Sequence, residues 1–371
     1  VRVGLNVLHL VPRETGGGEL YVRRLVPALL EAGRDLELVV FAGHEASPSL
    51  AAEPWASDVE LVHIPVRSRS RARRVLAEQT LLPRAARRAR IDLLHNVQNT
   101  APAMPRVPQV TTILDVIYKR HPETHAGVLA AGVALLVPLA ARRSRRILTL
   151  SEAAKEDIAH YLHVERDRID VTPLGPGLPD DVSPVGEGEL RRRHALGDAP
   201  IVLTVSAKRP HKNLERLLEA IALVRADPEP VLVAPGYETV FEQELRRRAG
   251  ERVRFLGWVD DDELEGLYRA ATCFVFPSLA EGFGLPVLEA MLRRVPVACS
   301  RIGPLEEVAG EAARFFEPTD VEDMARAIES LLSDAALRAR LVEAGRERAK
   351  EFSWARTAEA TIWGYERALS D

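Results

Sequence analysis

The sequence predicts an α/β protein made of two doubly wound parallel-sheet domains, and three observations carry that prediction. Short β-branched apolar runs alternate with amphipathic helical stretches along the chain, the pattern of parallel strands joined by helical crossovers. A Pro/Gly-rich segment without period, residues 173–188, interrupts the alternation near the middle and reads as a linker. The alternation then restarts. At 371 residues the chain is long enough for two such domains of ordinary size.

Taken in order, strands are expected at 3–8, 36–41, 59–64, 93–95, 109–113, 146–150 and 169–172 in the first half. Helices are expected there at 19–32, 72–89, 127–143 and 152–161, the last capped by Ser151. After the linker, strands are expected at 201–205, 231–234, 253–255, 273–276, 295–298 and 313–316. The helices between and after them fall at 214–225, 240–249, 261–270, 285–292, 321–330 and 335–350. A final helix, 354–369, carries Trp354, Trp363 and Tyr365. The expected organisation is an N-terminal domain of residues 1–175, with the last helix (353–371) packing back on it, and a C-terminal domain of residues 186–352. Ligands of doubly wound sheets sit at the carboxyl ends of the strands, so two facing sheets would place a site in the cleft between them.

Composition narrows the class. Apolar residues make up 46% and charged residues 28%, which excludes a disordered chain. A net charge of −4 gives no overall bias toward nucleic acid or acidic lipid, although the first half is net positive and the second net negative. The two cysteines, Cys273 and Cys299, lie in apolar runs with the spacing of neither a disulfide framework nor a zinc site. The longest apolar stretch, 126–141, contains Pro138 and is shorter than the ~20 residues a membrane-spanning helix needs. With no signal-peptide pattern at Val1, a reducing cytoplasm is the expected compartment.

The strongest chemical signal is Glu281-Gly-Phe-Gly-Leu-Pro-Val-Leu-Glu289, which follows an expected strand and opens a helix near Leu285. Glycines 282 and 284 let the backbone approach a ligand closely. The N–H groups of Phe283, Gly284 and Leu285 would point out of a helix N-terminus, which favours a diphosphate through hydrogen bonds and dipole together. Glu281 and Glu289 are carboxylates suited to accept from paired sugar hydroxyls. Lys208-Arg-Pro-His-Lys-Asn213 forms a second strand–loop–helix unit whose cations suit a diphosphate. Thr15-Gly16-Gly17-Gly18 follows the first strand and is not the GxGxxG of a dinucleotide dehydrogenase. Asp260-Asp-Asp262 reads as an N-cap with an acidic first turn rather than a metal cluster. A basic run, Arg67, Arg69, Arg71, Arg73 and Arg74, is followed by Arg84, Arg87, Arg88 and Arg90. It reads as a solvated helix face, with an anionic acceptor or a membrane surface as the alternative.

These residues resemble glycosyltransferase family 4, the retaining GT-B enzymes. The Glu-x7-Glu spacing within Glu281–Met291 carries the resemblance, together with Thr15–Val22, Asp92-Leu-Leu-His95, Thr112–Asp115, Leu150–Lys155, Val205–Asn213, Phe255-Leu-Gly257 and Phe352-Ser-Trp354. The resemblance implies two Rossmann-like domains facing across a cleft. It implies that Glu289 binds the donor ribose, that Glu281 binds the transferred sugar, and that Gly16 and Gly17 approach the donor phosphate. Lys212 matches the family's lysine, but the usual arginine position holds Ala207, so Arg209 or Lys208 is expected to supply the second cation. Leu114 replaces a common histidine near the donor sugar, with His9, His95 or His121 as substitutes and Asp115 on the acceptor side.

The function expected from this resemblance is metal-independent transfer of a hexose or deoxyhexose from a nucleotide-diphosphate sugar to an acceptor hydroxyl, with retention. GDP-mannose is a candidate donor, and no metal or other cofactor is expected. The acceptor would be a glycan, a lipid-linked molecule or a small molecule; nucleic acid is not an expected partner. The basic N-domain face admits peripheral contact with the inner face of the cell membrane. Two further readings are a catalytically silent sugar-nucleotide-binding scaffold and a GT-B epimerase.

Overall fold

The computed structural model describes residues 1–33, 35–120, 128–177 and 182–370. The chain divides into two compact units, Val1–Gly175 with Ser353–Asp371, and Pro176–Phe352.

The first unit runs β1 (Arg2–Asn6), α1 (Gly17–Ala32), β2 (Glu37–Ala42), α2 (Ala46–Ala51), β3 (Glu60–His63), α3 (Arg71–Thr80), α4 (Leu82–Arg88) and β4 (Leu93–Asn96). It continues with β5 (Gln109–Thr112), α5 (Ile117–Arg120), α6 (Val128–Arg143), β6 (Arg146–Thr149), α7 (Glu152–Leu162) and β7 (Ile169–Val171). Its seven strands form one parallel sheet in the order β3-β2-β1-β4-β5-β6-β7. Strand order reverses between β1 and β4, so the loops after these two strands diverge and leave a crevice at their carboxyl ends.

The second unit runs α8 (Glu187–Arg193), β8 (Ile201–Leu203), α9 (Leu214–Leu223), β9 (Val231–Pro235), α10 (Glu242–Arg248), β10 (Val253–Gly257), α11 (Asp261–Ala270) and β11 (Cys273–Phe276). After these come α12 (Leu285–Leu292), β12 (Val297–Ser300), α13 (Gly303–Ala309), β13 (Ala313–Phe316), α14 (Val321–Ser333) and α15 (Ala335–Ala349). Its parallel sheet has the order β10-β9-β8-β11-β12-β13, with the reversal between β8 and β11. Val202, Leu217, Leu232, Val275 and Ile328 belong to the core on one side of this sheet. Both cysteines are buried, and burial raises their thiols well above the ordinary range.

Expected and observed elements differ where local pattern is weakest. The single helix expected over 72–89 is two, α3 and α4, joined at Leu81. Pro83 has no N–H to return to Gln79, so the ladder breaks there. α8 begins inside the segment read as a linker; Glu187–Arg191 and Glu189–Arg193 pairs one turn apart support it. The short helices α2, α5 and α13 lack the length that makes a periodic signal. No described helix is long and apolar enough to cross a membrane.

The last helix, Trp354–Ser370, belongs to the first unit and packs on α1 and on β5, β6 and β7. Its anchors are polar as well as apolar. Tyr365 Oη pairs with His95 Nδ1 at 2.7 Å, and His95 Nε2 with Thr112 Oγ1 at 2.7 Å. Arg367 donates to Asp170 Oδ1 at 2.7 Å, the same carboxylate that Arg146 grips with Nε at 2.8 Å and Nη2 at 2.7 Å. The Arg146 and Asp170 side chains are each 3% exposed. Removing one member of a buried pair strands the other's charge. Asp170→Ala is therefore expected to destabilise the first unit by about 3–5 kcal/mol. Glu14→Ala, which breaks the exposed pair with Arg69, should cost under about 1 kcal/mol. Urea unfolding of both variants by far-UV circular dichroism checks this, and equal losses would contradict it.

Candidate active site

The reversal of strand order in the second sheet brings two loops together. The loop after β8 carries Lys208–Asn213, and the loop after β11 carries Glu281–Gly284. Lys212 Nζ donates to Glu281 Oε1 at 2.5 Å, with the two side chains 17% and 11% exposed. The Lys212 ammonium also lies 5.3 Å from the centre of the Phe276 ring, a favourable cation–π position at the end of β11. Leu279 N donates to His211 O at 2.8 Å, tying one loop to the other. Asn213 holds the left-handed conformation (φ 58°), and its Nδ2 donates to Pro277 O at 2.9 Å and Pro318 O at 2.7 Å. Asparagine tolerates that conformation better than most residues, and here its amide also staples three chain segments.

α12 starts from the second loop. Gly284 is its N-cap with φ 116°, a left-handed conformation that favours glycine, and a Cβ there would meet the tip of Leu305, Cδ2 at 2.4 Å, which would have to shift. Pro286 occupies the first turn, where a missing N–H costs nothing. Phe283 is buried and meets Phe352 edge to face at 5.7 Å. The N–H groups of Phe283, Gly284 and Leu285 lie at the positive end of the helix, the place for an anion.

Glu289 lies one turn inside α12 and is 7% exposed. Its Oε2 accepts from Tyr268 Oη at 3.1 Å. Tyr268 is fully buried on α11 and is covered by the Arg293 guanidinium 5.3 Å from its ring, while Arg293 is itself paired with Glu265. Glu289 is thus held from one side by a rigid partner.

Lys208 departs from expectation. It is completely buried, and its Nζ donates to Ala234 O and Gly236 O, each at 2.9 Å. Burial lowers its ammonium to about 8. The side chain turns into the sheet edge and secures the loop after β9, so it does not supply the second cation. Arg209 next to it is exposed and makes no ion pair among the described residues. Asp260 is the N-cap of α11, accepting from Glu263 N at 2.9 Å, as its pattern indicates.

The first unit places its residues as follows. Gly16 is the N-cap of α1 with φ 59°, and Gly17 is the first helical residue. His9 packs against Gly18, and burial pushes its ring down to about 3, keeping it neutral. His95 is buried in the Tyr365–Thr112 network and is a structural residue. His121 lies outside the described residues. Leu114 N donates to Asn99 Oδ1 at 2.8 Å. Asp115 Oδ1 accepts from Ile117 N at 3.0 Å and so starts α5. A groove of about 420 Å³ on α3 is lined by His44, Arg67, Arg73 and Leu76, among others.

Tyr268, Phe276 and Asn213 escaped the sequence reading as site residues. Tyr268 and Phe276 look like ordinary core aromatics, and only tertiary packing sets them beneath Glu289 and Lys212. Asn213 had a signal, since Asn before a helix is a common N-cap. Its side chain, however, caps nothing in its own helix.

Two family profiles match this chain: "Glycosyltransferase Family 4" over residues 15–175 and "Glycosyl transferases group 1" over residues 187–348. The O-antigen chain mannosyltransferase B of Escherichia coli is 32% identical over 269 residues, 69% of each chain. The MMP alpha-(1->4)-mannosyltransferase of Mycolicibacterium hassiacum is 34% identical over 238 residues, 62% of this chain and 56% of that one. Sucrose-phosphate synthase from Thermosynechococcus elongatus superposes with a TM-score of 0.79 at 21% identity, covering 100% of this chain and 99% of that one. With two parallel-sheet Rossmann-like units of GT-B kind and the Glu281–Glu289 helix at a strand-order reversal, the chain belongs to glycosyltransferase family 4 and is a glycosyltransferase.

Proposed function

We propose that this enzyme transfers a hexose, with mannose the leading candidate, from a nucleoside-diphosphate donor to an acceptor hydroxyl with retention and without a metal ion. The observation that carries the reading is the Lys212–Glu281 pair beside the N-terminus of α12. A sugar and its diphosphate share one glycosidic oxygen. A cation and a hydroxyl acceptor 2.5 Å apart therefore suit the two sides of that bond.

Lys212, exposed Arg209 and the α12 N–H groups take up negative charge as the nucleotide departs. Glu281 accepts from hydroxyls of the sugar, whose ring becomes positive as the bond breaks, and Glu289 accepts from the ribose. Within the first unit, Gly16 and Gly17 leave backbone N–H groups open at the start of α1. In a front-side displacement the departing phosphate oxygen takes the acceptor's proton, so no protein base is needed. Mannose is favoured because the two relatives described above are named mannosyltransferases. A glycan acceptor fits the same names. A lipid-linked acceptor, with peripheral attachment to the inner face of the cell membrane, is favoured by the groove on α3. There the cations of Arg67 and Arg73 sit beside Leu76, which is 63% exposed.

Three variants separate the roles. Lys212→Ala is expected to weaken nucleoside-diphosphate binding about tenfold or more, the scale of a lost charged hydrogen bond, and to leave nucleoside binding unchanged. Glu281→Ala should lower kcat by about 100-fold with diphosphate affinity nearly intact, because its hydrogen bonds strengthen only in the transition state. Glu289→Ala should weaken nucleoside and nucleoside diphosphate alike. Calorimetry and steady-state rates, with melting temperatures as the folding control, read all three; a reversed pattern for the two glutamates would displace the donor from α12.

The metal question has its own test. Transfer from GDP-mannose, or from whichever donor proves active, should continue in excess EDTA. Loss of activity that Mg²⁺ or Mn²⁺ restores would contradict a purely cationic leaving-group site.

A further inference from the structure

The side chain of Glu289 ends in a soft torsion. The last dihedral of a glutamate is broad, so the plane of its carboxylate is set by whatever holds the oxygens. Oε2 accepts from Tyr268 Oη at 3.1 Å. A phenol fixes a carboxylate only if its own ring cannot move, and three features hold this ring. Tyr268 is fully buried, so it has no route toward solvent. Its ring lies 5.7 Å from that of Phe274, tilted by 35°, and Phe274 stacks in turn on Phe276 at 6.0 Å. The Arg293 guanidinium sits 5.3 Å from the centre of the Tyr268 ring.

Arg293 is itself pinned. Its Nε pairs with Glu265 of α11, whose carboxylate also accepts from Arg269 Nε at 2.8 Å. Its Nη1 donates to the backbone carbonyl of Glu289 at 3.1 Å. Two side-chain links therefore join α11 to the α12 segment: Tyr268 to Glu289, and Glu265 to Arg293. Tyr268 follows Glu265 by three residues and Arg293 follows Glu289 by four, so the links fall about one helical turn apart. One link alone would let the carboxylate pivot. Two links, with a guanidinium set against the ring between them, do not.

Resting on the reading that Glu289 takes the donor ribose, we propose that Tyr268 is a positioning residue for that carboxylate, locked in place by Arg293 and Glu265. Tyr268 acts through Glu289. It sets the carboxylate plane before the ligand arrives, so the pair of ribose hydroxyls meets an acceptor that has no torsional freedom left to lose. The arrangement makes the site selective for a ribose over a sugar without those hydroxyls.

The experiment measures calorimetric binding of GDP, UDP, ADP and CDP, of their counterparts lacking both ribose hydroxyls, and of inorganic pyrophosphate. It compares the full wild-type chain with Tyr268→Phe, Glu289→Ala, the double variant and Arg293→Lys, each checked by melting temperature. The wild type should prefer the ribose forms. Tyr268→Phe keeps the ring and is expected to lose about fivefold in affinity for the best-bound ribose form, the scale of one hydrogen bond. Its affinity for the deoxygenated counterpart and for pyrophosphate should match the wild type. The double variant should bind as Glu289→Ala does, and a further loss would overturn action through Glu289. Arg293→Lys keeps the charge but not the flat guanidinium, so it should weaken the ribose form alone. If Tyr268→Phe fails to fold, Arg293→Lys decides, and wild-type affinity for the ribose form there overturns the proposal. Wild-type affinity in a folded Tyr268→Phe overturns the positioning role and leaves the donor reading standing. Equal losses for all three ligands also overturn it, since Tyr268 would then only support the fold. A wild type indifferent to the ribose hydroxyls overturns the placing of the ribose at Glu289, and the positioning role with it.

Discussion

The reversal of strand order between β8 and β11 is the constraint on which the chemistry of the second unit depends. Crossovers from parallel strands are right-handed, so connections that run outward in opposite directions from two central strands leave an open crevice at their carboxyl ends. The loop after β8 and the loop after β11 are about 70 residues apart in sequence, yet they are the two that meet there. Lys212 and Glu281 are paired because of that topology. No local propensity could bring an ammonium and a carboxylate together across that distance.

Once two charged loops are forced into a crevice, the surrounding structure has to hold them without quenching their charge. It does so largely with neutral contacts. Asn213 staples its loop to Pro277 and Pro318, Leu279 bonds to His211, and Gly284 turns the chain into α12 through a left-handed conformation that favours glycine. The buried ammonium of Lys208 is met by two backbone carbonyls and so stays out of the crevice. Burying a charge is costly unless it is hydrogen-bonded, and those two acceptors at the end of β9 are what make the position tolerable. The first unit solves a related problem with Arg146, Asp170 and Arg367, where one carboxylate serves two guanidinium groups and ties the last helix to β6 and β7.

Rigidity and exposure are also divided between different parts of the carboxyl edge. Around β8 and β11 the polar groups are interlocked. Around β9 and β10 apolar side chains are left in solvent.

Much of this was legible in the sequence, because much of it is local. The period of apolar residues marks strands and helices: β11, α11, α12 and β13 fall where the pattern puts them. Ser151 and Asp260 cap the helices they precede, since an N-cap needs only a side chain two or three residues from an unmet N–H. The Gly-x-Gly turn and the Glu-x7-Glu spacing identify the glycosyltransferase family for the same reason. What only the tertiary structure decided was the fate of long side chains and the choice of distant partners. Lys208 and Arg209 are adjacent and alike in charge, yet one is buried against backbone carbonyls and the other faces solvent, because β9 lies on one side of the loop. His95, a candidate ligand contact by type, is consumed by Tyr365, which lies 270 residues away. Tyr268 becomes the partner of Glu289 only when α11 packs beside α12. Periodicity and motifs report how a residue relates to its neighbours along the chain, whereas strand order and helix packing determine which remote atoms it meets.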